Sequence, residues 1–115
     1  MVISGTKAKK QSMVEEVAKA TVKCLHEHVP PTLAGVVFLS GGMTDIQSTE
    51  NLNAMNKLGK HPWPLSFSYG RAIQHPALTN WAKGNIEQAK KQLIHRAKMN
   101  GLATLGKYTE KAEKM

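Results

Sequence analysis

The chain has a single cysteine, Cys24, so an internal disulfide is excluded. It has no apolar run approaching the ~20 residues of a membrane-spanning helix. Met1-Val2-Ile3-Ser4-Gly5-Thr6 lacks the charged-then-apolar order of a secretory signal. A reducing, soluble compartment, the cytoplasm, is therefore the expectation, without a membrane partner. The histidines show no metal-ligand spacing: His26 and His28 lie near a helix end, and His61, His75 and His95 are scattered. No solenoid-type repeat is visible. Acidic residues are scarce, 8 against 16 Lys and Arg, giving a formal charge of +8. That balance suggests an anionic partner such as a phosphorylated metabolite, a nucleic acid or a membrane surface. The cations are spread along the chain without a basic stripe or an aromatic-basic motif, which argues against nucleic acid.

What is present is 115 residues with 41% hydrophobic content, enough for one domain or less with a modest core. Residues 1–11 are polar, basic and irregular. Ser12-x-x-Glu15 has the form of a capping box. It opens a helix whose apolar stripe runs through Val14, Val17, Ala18, Thr21, Cys24 and Leu25. Cys24 reads as a small core residue, and Pro30-Pro31 stops the helix. Gly35 to Ser40 is nearly continuously apolar and reads as a strand buried on both faces. Gly41-Gly42 ends it, and Thr44-x-x-Gln47 caps a helix to about Lys57. Leu58 to Pro64 is a loop.

Leu65 to Tyr69 alternates, with Leu65, Phe67 and Tyr69 on one face and Ser66 and Ser68 on the other. Gly70-Arg71 closes this second strand. A helix follows, expected to restart at Pro76 and to end at Gly84. Asn85-x-x-Gln88 caps a last helix that buries Ile86, Ala89, Leu93 and Ala97. The Lys/Glu-rich tail after Gly106 is expected to fray. Trp63 and Trp81 read as packing groups, and Lys57, Lys60 and Lys83 as exposed charges.

The order is helix, strand, helix, strand, helix, helix. The helix-containing link from Ser40 to Leu65 suits a parallel crossover, the βαβ unit. A sheet of two parallel strands leaves both edges open, so two consecutive βα units look cut from a larger α/β fold. A complete (β/α)8 barrel has eight such units in about 250 residues. On that reading Val36, Phe38, Leu65 and Phe67 would be left bare. The isolated chain would then be molten, aggregated or dependent on a partner.

Two strand ends carry the chemistry. Leu39-Ser40-Gly41-Gly42 and Ser66-Phe67-Ser68-Tyr69-Gly70-Arg71 each close a strand and lead into a helix. Phosphate sites in such barrels are often built from the loops after the seventh and eighth strands. Gly41 and Gly70 let backbone amides approach a phosphate, and Ser40 and Ser68 add hydroxyls. Arg71 supplies a planar, permanently charged donor fork. The helix starting near Thr44 adds the partial positive charge of its N-terminus.

Val37-Phe38-Leu39-Ser40-Gly41-Gly42-Met43, Asn51-Leu52-Asn53-Ala54-Met55-Asn56 and Leu65-Ser66-Phe67-Ser68-Tyr69-Gly70-Arg71-Ala72 resemble the C-terminal third of class I fructose-bisphosphate aldolase. The likeness runs from Met1 to Tyr108. It implies an α/β fold: the last two βα units, the seventh and eighth strands, of a (β/α)8 TIM barrel, plus a C-terminal helix. Residues 1–115 would be a C-terminal fragment of that single domain. It also implies a homotetrameric, cofactor-free lyase of glycolysis and gluconeogenesis. Such an enzyme cleaves fructose 1,6-bisphosphate to dihydroxyacetone phosphate and glyceraldehyde 3-phosphate. The family's substrate-phosphate residues fall on Ser40, Gly41, Gly42, Ser68, Gly70 and Arg71.

The family's Schiff-base lysine, in a Lys-Pro-Asn-Met-Val segment, falls just before Met1-Val2. Its acid/base residues fall further upstream. Its functional terminal tyrosine has no counterpart, since Tyr108 matches a tyrosine before the tail. The expectation is a chain that binds fructose 1,6-bisphosphate or a triose phosphate but is inactive alone. A second reading makes it a short non-catalytic protein that binds a phosphate ligand or associates with an aldolase.

Overall fold

The computed structural model describes residues 1–115. Five helices and two short strands follow in the order α1 (Val14–His28), β1 (Val36–Phe38), α2 (Asp45–Lys57), β2 (Leu65–Phe67), α3 (Arg71–Ala82), α4 (Ile86–Thr104) and α5 (Glu110–Glu113). The strands pair in parallel, with Val36 opposite Leu65 and Phe38 opposite Phe67, and α2 makes the crossover between them. No helix is long and apolar enough to cross a membrane.

One side of the sheet carries the core. Phe38 and Leu65 are buried there with Leu52 and Met55 of α2, Ala72 of α3, and Met99 and Ala103 of α4. The other side is bare: Val37 is 62% and Leu39 72% exposed. The strand expected to be covered on both faces is thus covered on one. The residues left open are Val37 and Leu39, whereas Phe38 and Leu65 of the expected bare set are buried. The helices shield the face bearing the even-numbered residues of β1, and nothing in the chain shields the other.

α2 starts as expected. Thr44 Oγ1 accepts from the Gln47 amide at 3.1 Å, and Gln47 Oε1 accepts from the Thr44 amide at 3.0 Å. The box expected at Ser12 does not form. α1 begins one residue later, with Met13 as its N-cap, which moves Glu15 out of the third helical position. The Ser12 amide and hydroxyl instead meet the Ser4 hydroxyl at 3.0 and 2.9 Å. Cys24 is exposed, not buried. α1 packs mainly on α2, and a single neighbouring helix covers only the narrower stripe of Val17, Ala18 and Thr21.

Pro76 lies inside a continuous α3, with no restart. The proline removes one helical donor, but α3 is held along α4, its most extensive partner. Gly84, at φ 81°, ends the helix as expected. The Asn85 side chain makes no cap bond. The buried stripe of α4 is Ala89, Arg96, Met99, Asn100 and Ala103; Ile86, Leu93 and Ala97 face solvent. Apolar periodicity misplaced this stripe because two of its residues are polar. Trp63 is buried, its Nε1 donating to the Pro30 carbonyl at 2.8 Å, whereas Trp81 is 63% exposed.

The tail is docked, not frayed. Tyr108 is buried, and its amide donates to Asn53 Oδ1 at 3.0 Å. Arg96 Nη1 donates to Glu113 Oε1, and Arg96 Nη2 donates to Thr49 Oγ1. The Tyr108 hydroxyl donates to Glu113 Oε2 at 2.9 Å. Burial alone would raise the Glu113 pKa. Hydrogen bonds from Arg96, Tyr108 and His95, with the Arg96 charge, outweigh it and hold the carboxyl below its ordinary value. Asn56 Nδ2 lies 3.1 to 3.2 Å from the carbonyls of Leu52, Leu65 and Ala103, joining α2, β2 and α4.

Candidate phosphate site at the strand ends

The loop after β1 is a tight turn. The Met43 amide donates to the Ser40 carbonyl at 3.1 Å, and Gly42 stands at φ 80°. A turn with that third residue needs a positive φ, which only glycine adopts without strain. A Cβ on Gly42 would also meet Ile3 Cδ1 at 3.1 Å. Ser40 is buried, and its Oγ accepts from the Ala72 amide at 3.4 Å, tying this loop to the first turn of α3. The hydroxyl proton of Ser40 is left free to donate.

After β2 the chain passes Ser68 and Tyr69 to Gly70, the N-cap of α3. Tyr69 is buried and structural: its hydroxyl donates to the Ser48 carbonyl at 2.8 Å, and burial pushes its pKa well up. Arg71, the first residue of α3, is exposed. Its Nη2 lies 4.0 Å from where a Cβ on Gly41 would stand. The missing side chain at Gly41 therefore keeps open the space beside the guanidinium. The backbone amides of Gly41, Gly42 and Gly70 donate to no acceptor in the chain.

A cleft of about 500 Å³ lies here, lined by Ser40, Gly42, Met43, Thr44, Asp45, Gln47, Arg71, Ala72 and His75. The N-terminal ends of α2 and α3 both border it, and both favour an anion. Of the six residues expected to bind phosphate, Ser40, Gly42 and Arg71 line the cleft. Gly41 adjoins Arg71 in space and Gly70 adjoins it in sequence. Ser68 does not line it; its amide extends the ladder to the Phe38 carbonyl at 2.8 Å.

Asp45 and His75 enter the cleft unannounced. Asp45 is the one feature opposing an anion, and His75 Nδ1 lies 3.6 Å from its carboxylate. Their signal in the sequence was positional: Asp45 follows the cap of α2, and His75 is one turn after Arg71 on α3. A larger depression of about 870 Å³ lies between α4 and α5, lined by residues including Lys91, His95, Lys98 and Lys114. It shares no lining residue with the cleft at the strand ends. Lys57, Lys60 and Lys83 are exposed, and none borders the cleft.

Comparison with known proteins gives the family of the chain. The family described as fructose-bisphosphate aldolase class-I matches residues 1–115. A probable fructose-bisphosphate aldolase class 1 of Xanthomonas axonopodis pv. citri is 58% identical over 111 residues, which are 94% of this chain and 33% of that protein. The fructose-bisphosphate aldolase of Dictyostelium discoideum is 53% identical over 95% of this chain and 31% of its own. Among solved structures, fructose-bisphosphate aldolase from Plasmodium falciparum, crystallised with TRAP and a small-molecule inhibitor, superposes with a TM-score of 0.89. Its identity is 46%, covering 95% of this chain and 32% of that one. The chain thus spans about a third of the length of these relatives, the C-terminal third by its motifs, and it belongs to the class I fructose-bisphosphate aldolase family.

Proposed function

We propose that the cleft holds a phosphate of fructose 1,6-bisphosphate or of a triose phosphate. It would serve as the substrate-phosphate site of an aldolase made by this segment with the rest of the polypeptide. The observation that carries this reading is the open space at Gly41. There the Arg71 guanidinium stands beside glycine amides that have no acceptor. Arg71 pairs two phosphate oxygens through its fork, the amides of Gly41, Gly42 and Gly70 bind the others, and the Ser40 hydroxyl adds a donor.

β1 and β2 are, on this proposal, the seventh and eighth strands of a (β/α)8 barrel, and the bare face of Val37 and Leu39 is the face the other strands cover. The Schiff-base lysine, which makes an electron sink of the substrate carbonyl, comes from outside these residues. The 115-residue chain therefore binds without cleaving. The assembled enzyme, a cytoplasmic homotetramer, performs the aldol cleavage.

Fructose 1,6-bisphosphate titrated into the full polypeptide that contains this segment, and into the 115-residue chain where its dispersed amide signals show that it folds alone, followed by backbone amide NMR, tests this. Shifts are expected at Gly41, Gly42 and Arg71. Arg71→Ala should weaken binding by about 10- to 100-fold, the worth of a charged hydrogen-bond pair. Unchanged affinity in Arg71→Ala refutes the site. Cleavage of the sugar by the chain alone refutes the division of labour.

A further inference from the structure

Resting on the phosphate reading of the cleft, we propose that His75 is a further anion-binding residue there, positioned by Asp45, and that anion binding takes up a proton at its ring. Arg71 and His75 lie one turn apart on α3, at i and i+4, so both project from one face of that helix. Both line the cleft. An anion held by the Arg71 guanidinium therefore shares its space with the imidazole.

The charge of the cleft depends on this one ring. Among the nine lining residues only Asp45, Arg71 and His75 carry ionisable side chains. Arg71 is permanently charged, and the Asp45 carboxylate cancels it. With a neutral His75 the lining side chains sum to no formal charge; with a protonated His75 they sum to one positive charge. Histidine is the side chain whose charge changes between about pH 5 and 8. His75 thus decides whether side-chain charge adds to the pull of the glycine amides and helix N-termini.

His75 Nδ1 lies 3.6 Å from Asp45 Oδ2, within reach of an ion pair and too far for a hydrogen bond. The ring makes no hydrogen bond in the chain, which leaves Nε2 for a ligand. Asp45 is the fixed partner. Its side chain is 26% exposed against 71% for His75, and its carbonyl accepts from Thr49 Oγ1 at 3.1 Å. The charged groups around His75 are Asp45 from α2 and Arg71 from its own helix. α4 brings Arg96, turned to the Asp45 carbonyl at 3.4 Å. Asp45 favours the imidazolium and Arg71 opposes it; an arriving dianion offsets Arg71. The ring then takes one proton from solvent at its bare nitrogen. It donates through Nδ1 toward Asp45 and through Nε2 toward the anion. A carboxylate that would otherwise only repel the ligand thereby holds a second cation against it.

Sodium sulfate keeps one charge from about pH 5 to 8, the range in which histidine titrates, and is the probe. It is titrated by calorimetry into the full polypeptide that contains this segment. The heat lost in Arg71→Ala is that of the cleft. Its affinity should fall about three- to tenfold from the acid to the alkaline end of that range. His75→Gln, a change at an exposed helix position, should flatten the profile. Titrations in two buffers of different ionisation heat should show proton uptake in the parent and none in His75→Gln. Asp45→Asn should bind more tightly at the alkaline end, where the opposing charge is gone, and its decline should begin at lower pH. A cleft affinity independent of pH, or a slope kept in His75→Gln, overturns the proposal and leaves the phosphate site standing. An unmoved profile in Asp45→Asn overturns the positioning by Asp45. No heat lost in Arg71→Ala overturns the phosphate site, and the proposal with it.

Discussion

Glu113→Ala should cost far more than removal of a surface charge. The Arg96 side chain is 4% exposed, and Glu113 is its counter-ion. Arg96 Nη2 also reaches the Asp45 carbonyl at 3.4 Å, while Nε has no partner, so the guanidinium has little to fall back on. Glu113 takes donors from Arg96, from the Tyr108 hydroxyl and from His95 Nε2 at 3.2 Å. Removing one member of a buried pair costs about 3–5 kcal/mol. Glu113 keeps 18% exposure, and water entering its place offsets part of that. We expect a loss of about 2–3 kcal/mol. In urea, with a slope of about 1–3 kcal/mol per molar, the midpoint should fall by about 1–2 M.

Glu113→Ala combined with Arg96→Met should recover most of the loss, because no orphaned charge remains. The pH dependence has a fixed sign. The folded carboxyl titrates below its ordinary value of 4.5. Its stabilisation is complete above that value and disappears as pH falls through the lower folded pKa. A loss below about 0.5 kcal/mol, the range of an exposed pair, or no recovery in the double variant, would refute the reasoning.

Thr44→Ala removes the half of the α2 capping box in which the Thr44 hydroxyl accepts from the Gln47 amide, leaves the Thr44 amide to donate to Gln47 Oε1, and should cost about 1 kcal/mol in urea unfolding. Gly42→Ala forces a side chain onto a positive φ and against Ile3. It should lower the melting temperature by several degrees, at about 1–2 kcal/mol, and weaken fructose 1,6-bisphosphate binding. Glu50→Gln should raise stability at neutral pH, because burial first, then Glu110 and Glu113, raise the Glu50 pKa. That gain should vanish as acidification protonates the wild-type carboxyl, and a stability scan against pH reads it directly.

The local chemistry of this chain was legible in one dimension. The box of Thr44 and Gln47, the stop at Gly84 and the turn at Gly42 all rest on neighbours within a few residues. Short-range sterics and hydrogen bonding fix those wherever the segment sits. The readings that failed share a cause. Ser12, Asn85, Pro76 and Cys24 were judged by local rules. A hydroxyl from Ser4, the backbone geometry at Asn85, the flank of α4 and the limited breadth of α2 decided them instead. The cleft was half visible. Ser40, Gly42 and Arg71 announced themselves by type, whereas Asp45 and His75 belong to it only because α2 and α3 bring their first turns together.

The sequence alone determined the order of elements, the two glycine-rich strand ends and the family, because motif spacing survives without coordinates. Only the tertiary structure decided which sheet face is covered, and that Arg96 and Asn100 lie in the buried stripe of α4. It alone decided that the tail is docked by Glu113 and that His75 meets Asp45. Each of these depends on groups remote in the chain. A polar residue is buried when its partner arrives from elsewhere to satisfy it, and hydrophobic periodicity does not register that partner.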